Sequence, residues 1–162
     1  MGVDVRKSAL VEHSAADMFD LIEAAEHYGA FLPWFTGATI IERDEAVVVA
    51  RIGVKNRGVA FSFTTRNPKR RPHWMAIKLE SGPFRQFEGE WRLLELAPGA
   101  CKVEFALHYE FDHHLIGRFA APVFDGIART MIDAFVARAD RVLVAGPLPP
   151  TGGDLPNDGV SS

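Results

Sequence analysis

The side chains with the most obvious reactive potential fall into no working constellation. His113 and His114 are adjacent. Neighbouring histidines at the start of a helix point in different directions and do not readily chelate one ion. The chain has no HExxH, no CxxC and no carboxylate–histidine cluster at metal spacing, so no metal site is expected. Ser62 and Ser81 have no nearby histidine, and there is no G-x-S-x-G elbow. Cys101 follows a Pro-Gly turn at the head of an apolar stripe, where it reads as a small buried hydrophobe rather than a nucleophile. Tyr109 and the pair Glu88/Glu90 remain as candidate acid–base groups, but both glutamates carry the parity of a wet strand face. No catalytic residue is assigned. Glycine-rich phosphate loops are absent.

What the chain has instead is aromatic surface. "ESGPFRQFEGEW", residues 80–91, sets Phe84, Phe87 and Trp91 just after a rigid Gly-Pro turn. The full count is twelve Phe and three Trp against two Tyr, so most rings lack a polar handle and need a dry environment. A basic turn, "NPKRRPHW", gathers Lys69, Arg70 and Arg71, with Arg51, Lys55 and Arg57 adding to the basic side. It reads first as a solvated hairpin turn. A sharper reading is contact with anionic lipid head groups or with rRNA phosphates.

The elements that position these residues follow from periodicity. "VDVRKSALVEH" contains a first strand. Ser14 caps a helix with Asp17 at its third position, and the helix carries Met18, Phe19, Leu21 and Ile22. Gly29 interrupts the next segment, a helical turn over Ala30 to Leu32 follows, and Pro33 stops it. From Thr36 to Phe111 the period changes to two. "TIIER" and "AVVVARIGV" flank a hairpin at Asp44-Glu45. Val59, Phe61 and Phe63 share a face, as do Met75, Ile77 and Leu79, and then Phe87, Gly89, Trp91 and Leu93. In "CKVEFALHYEF", Cys101, Val103, Phe105, Leu107, Tyr109 and Phe111 face one way and Lys102, Glu104, His108 and Glu110 the other. A long helix is expected from about Leu115 to Val144, capped by Asp112. Its apolar arc is Ile116, Ala120, Val123, Phe124, Ile127, Met131 and Phe135. Pro122 lies inside this pattern and should kink the helix or split off its first turn.

This order predicts an α+β fold, a curved antiparallel sheet of about seven strands wrapped on the C-terminal helix. Gly53 and Gly89 would let the strands bend. The 162 residues favour one domain, 1–145, followed by a disordered Pro/Gly/Ser/Asp tail, 146–162. A formal charge of −3 is too small to imply nucleic-acid binding by net field. One cysteine allows no internal disulfide, and no signal peptide or membrane span is evident, so a cytoplasmic location is expected.

The phrases "FLPWFTG", "FTTRN", "SGPFRQFEGEW", "CKVEFALHYEF" and "VFDGIARTMIDAFVARADRV", in this order, resemble the coenzyme-Q-binding and RatA-type toxin family of the START-like (helix-grip, polyketide cyclase) superfamily. The resemblance runs from about residue 4 to 143. It implies a lipophilic cavity between the sheet and the long helix. "FLPW", Phe31 to Trp34, and "GPF", Gly82 to Phe84, would sit near its mouth. Spacing alone reads the aromatic stripes as filled core; the resemblance makes some of them cavity wall. The residues so assigned are Phe31, Leu32 and Trp34; Phe61, Phe63, Met75, Ile77, Phe84, Phe87, Trp91, Phe105 and Tyr109 on the strands; and Val123, Ile127 and Met131 on the helix. The implied function is non-catalytic binding of ubiquinone or a similar hydrophobic lipid in support of respiratory electron transfer, with no other cofactor. Such a protein would be cytoplasmic and peripheral to the inner membrane. The alternative implied by the same resemblance is a RatA-type toxin that binds the large ribosomal subunit and blocks subunit association.

Overall fold

A computed structural model describes residues 2–143. The tail expected to be disordered, and the end of the predicted helix at Val144, lie outside them. Seven strands form one antiparallel sheet: β1 Val3–Val11, β2 Phe35–Arg43, β3 Val47–Asn56, β4 Val59–Arg70, β5 Trp74–Ser81, β6 Phe84–Ala97 and β7 Ala100–Phe111. Their spatial order is β1-β7-β6-β5-β4-β3-β2. Each neighbour after β2 is a hairpin partner, and β1 closes the sheet by pairing with β7, Val5 opposite Leu107. Helix α1, Ala15–Glu23, and a 3₁₀ helix, Ala25–Ala30, follow β1; helix α2, Ala120–Val142, is the last element among the described residues. The α+β curved sheet gripping a C-terminal helix is therefore as the period-two and period-3.6 patterns predict.

Local chemistry explains each junction. The Ser14 hydroxyl accepts the Asp17 N–H at 3.1 Å and starts α1. Asp44 Oδ1 accepts the N–H groups of Ala46 and Val47, closing the β2–β3 hairpin. In β7 the alternation is complete, with Cys101, Val103, Phe105, Leu107, Tyr109 and Phe111 all buried. Phe84 and Phe87 are three apart, which in a regular strand would place them on opposite faces. A register shift between Phe84 and Gln86 turns both rings inward. Gly82, at φ 149°, makes the preceding turn; a Cβ there would come 2.5 Å from the Phe63 Cβ. At Gly89 a Cβ would meet the Ala106 carbonyl oxygen at 2.5 Å, so β6 and β7 approach as closely as they do only with glycine there.

Two helical boundaries differ from expectation. The turn expected over Ala30 to Leu32 is a 3₁₀ helix five residues earlier, Ala25–Ala30, and Phe31 and Leu32 are its exit, both donating to the Tyr28 carbonyl. Here Gly29 is tolerated because a 3₁₀ helix is short and built from local bonds. The long helix begins at Ala120, not Leu115. Pro122 is its third residue, where the N–H has no intrahelical acceptor, so the ring costs no hydrogen bond. The preceding residues split off as a separate turn. Asp112 caps that turn rather than α2: its Oδ1 accepts the His114 N–H at 2.9 Å and its carbonyl accepts Leu115 N–H. The N-cap of α2 is Phe119, without a side-chain bond.

Candidate functional site

The space between the sheet's inner face and the helices divides into two parts. Towards the β5–β6 turn it is filled. Phe61, Phe63, Phe84, Phe87, Phe111 and Phe124 form a continuous ring cluster: Phe84 stacks on Phe111 at 4.5 Å, and Phe124 from α2 sits 5.6 Å from Phe84 and 4.9 Å from Tyr109. Behind this plug, a cavity of about 90 Å³ remains. Trp91, with its ring 4.6 Å from Phe105 and 5.3 Å from Phe135, forms its back wall.

Eight of the sequence-predicted residues line this cavity: Trp34, Phe63, Met75, Ile77, Phe87, Trp91, Phe105 and Met131. The others assigned to the wall lie elsewhere. Phe61 and Phe84 belong to the ring plug. Phe31 packs edge-on to Phe135 and beneath the Arg138 guanidinium, 5.4 Å from the ring centroid. Leu32 and Ile127 are buried core, and Val123 packs against the core from a half-buried position. Tyr109 donates its hydroxyl to Asp125 Oδ1 at 3.3 Å, and burial, with Asp125 beside it, holds that hydroxyl above the ordinary phenol range. Parity identifies a wall but not the level along a strand at which the wall is hollow, and this separates the two sets.

Several lining residues were not assigned from sequence. Ile22, Glu23, Ala25 and Tyr28 come from the first helices; Val48, Ala50, Ile52 and Val54 from β3; Thr65 and Asn67 from β4; Leu107 from β7; Phe124 and Phe135 from α2. The β3 stripe has period two, but Val47 and Val49 beside it mask the parity. On β4 the stripe continues past Phe63 through Thr65 and Asn67 to Lys69 and grades from aromatic to charged. That continuation has the right period, but its last residues are polar and do not read as an apolar stripe.

The polar residues form the chemistry of the site. Asn67 lines the cavity; its Nδ2 makes only a 3.8 Å contact to the Met75 sulfur, and its Oδ1 is buried without a hydrogen-bond partner among the described residues. At the rim, Glu23 is held on both oxygens, by Lys69 Nζ at 2.8 Å and Arg43 Nε at 3.2 Å. Arg43 also grips Glu26 with two 2.8 Å bonds, which holds the Glu26 carboxyl down at about pKa 2. Tyr28 donates its hydroxyl to the Ile22 carbonyl, and burial pushes it above the ordinary phenol range.

This arrangement corrects the expected basic surface. Lys69 is not in a solvated turn: its side chain is 6% exposed and committed to Glu23. Arg71 is exposed but clamps Asp20 through two bonds of 2.7 and 2.8 Å. Of the three, only Arg70 is exposed with no ion pair among the described residues. Glu88 is exposed on the outer face, where Glu90 bonds to Arg92, so neither reaches the cavity. Among the described residues, Glu23 is the one carboxylate lining the cavity, and it is neutralised by two cations. Burial raises the Cys101 thiol to about 11, which removes its thiolate at neutral pH. Among the described residues, no group of three or more His, Cys, Asp or Glu side chains is placed to hold a metal ion. A larger, open concavity of about 720 Å³ crosses the outer face of β1, β7, β6 and β5. Charges of both signs line it, including Arg6, Lys78, Glu88 and Glu104, and it is the sheet's curvature rather than an enclosed site.

Comparison with known proteins bears on what the site does. Residues 11–136 match the family described as polyketide cyclase / dehydrase and lipid transport. The ribosome association toxin RatA of Escherichia coli K12 is 35% identical over 141 residues, covering 87% of this chain and 89% of RatA. The mitochondrial coenzyme Q-binding protein COQ10 homolog B of Xenopus laevis is 23% identical over 86% of this chain and 59% of its own length. Among solved structures, the Zhui aromatase/cyclase of Streptomyces sp. R1128 superposes with a TM-score of 0.71 at 18% identity, over 90% of this chain and 98% of that one, a likeness of fold alone.

Proposed function

Because the chain belongs to the polyketide cyclase / dehydrase and lipid transport family, we propose that it is a non-catalytic member, a RatA-type protein that associates with the ribosome and acts through its surface. The observation that carries this reading is the near end-to-end similarity to RatA, 35% identity over 89% of that protein. The cavity supports it from the other side. At about 90 Å³ it is well below the roughly 300–1,000 Å³ of typical ligand sites, and it has no free acid or base to drive a cyclisation. A quinone with its polyprenyl chain does not fit such a space.

The test is a sucrose-gradient profile of ribosomes with and without the purified chain. At near-stoichiometric protein, joined ribosomes decrease and the chain migrates with the large subunit. An unchanged profile, with the chain left at the top of the gradient, overturns the proposal.

One observation favours a second reading, binding of a small lipophile such as a quinone ring. The buried, unpaired Oδ1 of Asn67 in an otherwise apolar cavity is the kind of group that orients a ligand through one hydrogen bond. Mass spectrometry of lipid extracted from the purified protein, repeated on Asn67→Leu, tests it. A wild-type protein that is empty and takes up no added quinone removes this reading.

A further inference from the structure

We propose that the loop 112–119, with the two turns beside it, is a membrane-docking tip that seats this protein on anionic lipid bilayers. The loop joins β7 to α2 and is tied down at its start. Asp112 donates its N–H to the Pro83 carbonyl at 2.9 Å, which fastens the loop to the β5–β6 turn, and its own carbonyl accepts Leu115 and Ile116. Ile116 packs inward against the core. Leu115 and Phe119, on either side of it, point away: they are 67% and 81% exposed, Phe119 the most exposed of the large apolar side chains among the described residues. A phenyl ring and a leucyl group held out by a tethered loop gain nothing from water.

Cations lie near them. Arg118 is in the loop and exposed, next to Phe119. Lys55, near the end of β3, and Arg57, in the β3–β4 turn, are both exposed. That turn belongs to the same end of the molecule: Phe61, just inside β4, has its ring 5.5 Å from Phe111, which directly precedes the loop, and 5.9 Å from Phe124, near the start of α2. Among the described residues, no carboxylate ion pair involves Lys55, Arg57 or Arg118. Glu110 faces Arg85 at 3.9 Å, and Asp112, whose Oδ1 accepts the His114 N–H, keeps its carboxylate charge at the start of the loop, so the excess of cations rests on Lys55, Arg57 and Arg118 together. Unpaired cations around exposed apolar groups match an anionic interface, with charge at the head groups and hydrocarbon below. No helix among the described residues is long and apolar enough to cross a membrane, so contact through this tip is peripheral. An RNA partner would use the cations but not Leu115. This proposal is independent of the ribosome reading and assigns the lipid contact to a different surface from the "NPKRRPHW" segment.

Sedimentation of the full chain with vesicles tests it. The wild type pellets with vesicles of equal parts phosphatidylcholine and phosphatidylglycerol, far less with phosphatidylcholine alone, and less as salt is raised. The double variant Leu115→Ser/Phe119→Ser lowers the partition coefficient at least about tenfold, and Arg57→Gln/Arg118→Gln lowers it about fivefold per charge. Arg70→Gln leaves it unchanged. All these side chains are exposed, and matched thermal melts confirm that the variants fold. Wild-type protein that ignores the anionic vesicles, or a Leu115/Phe119 variant that pellets like wild type, overturns the proposal. So does a variant that keeps vesicle binding but loses co-sedimentation with large ribosomal subunits, since the tip would then be a ribosome contact.

Discussion

Lys69 and Arg71 are two residues apart and carry the same charge, yet their removal has different consequences. The Lys69 ammonium is buried against Glu23, so Lys69→Ala strands a carboxylate that keeps only the more distant Arg43. Breaking a buried pair from one side costs about 3 kcal/mol, visible as a lower urea midpoint. Arg71→Ala breaks an exposed clamp on Asp20 and leaves the midpoint within error. Equal losses would mean that Lys69 is not buried as described. The neighbouring Glu26 is sensitive to acid. Arg43 holds its carboxyl near 2 against an ordinary value of 4.5. A folded-state value below the unfolded one stabilises the native state at pH above about 4.5, and that contribution disappears as pH falls towards 2. Glu26→Gln should therefore flatten the stability-versus-pH curve over that window and leave it unchanged in shape above it. Sequence showed the charges of this network but not their pairing, because Glu23, Arg43 and Lys69 come from three elements.

The sheet was legible wherever a strand faces core on one side and water on the other. β7 alternates without exception, and its burial follows the letters. Legibility failed where a local device changes parity or where a polar residue continues an apolar stripe. The bulge that brings Phe84 inward is invisible to a count of two, and the inward row of β4 ends in Thr65, Asn67 and Lys69. Helix boundaries failed for a related reason: Pro122 reads as a breaker in mid-pattern but sits in a first turn. Two substitutions test this level. Pro122→Ala should change stability by less than about 0.5 kcal/mol, since no hydrogen bond is regained at that position; a gain near the 3 kcal/mol of an interior proline would show that the helix starts earlier. Gly82→Ala should cost about 2 kcal/mol, from an unfavourable φ and a collision with the Phe63 Cβ. Both are read from the chemical denaturation midpoint.

For the molecule as a whole, the question is whether the seam between sheet and α2 is a binding site or a core that retains a small gap. Phe124 decides it, because the ring belongs to both parts: it lines the cavity and is in contact with Phe61, Phe84 and Phe111 in the plug. Phe124→Ala should cost about 3–5 kcal/mol and join the gap to the space left by the ring. If the seam is a ligand site restricted by its own aromatics, a soluble short-chain quinone will raise the melting temperature of this variant more than that of wild type, because a ligand bound only by the native state stabilises it by mass action. If the seam is core alone, no added quinone will shift either protein. The ribosome profile of the same variant, taken below its melting temperature, separates the two activities. A function carried by the outer surface survives an enlarged interior, whereas one that depends on the cavity changes with it.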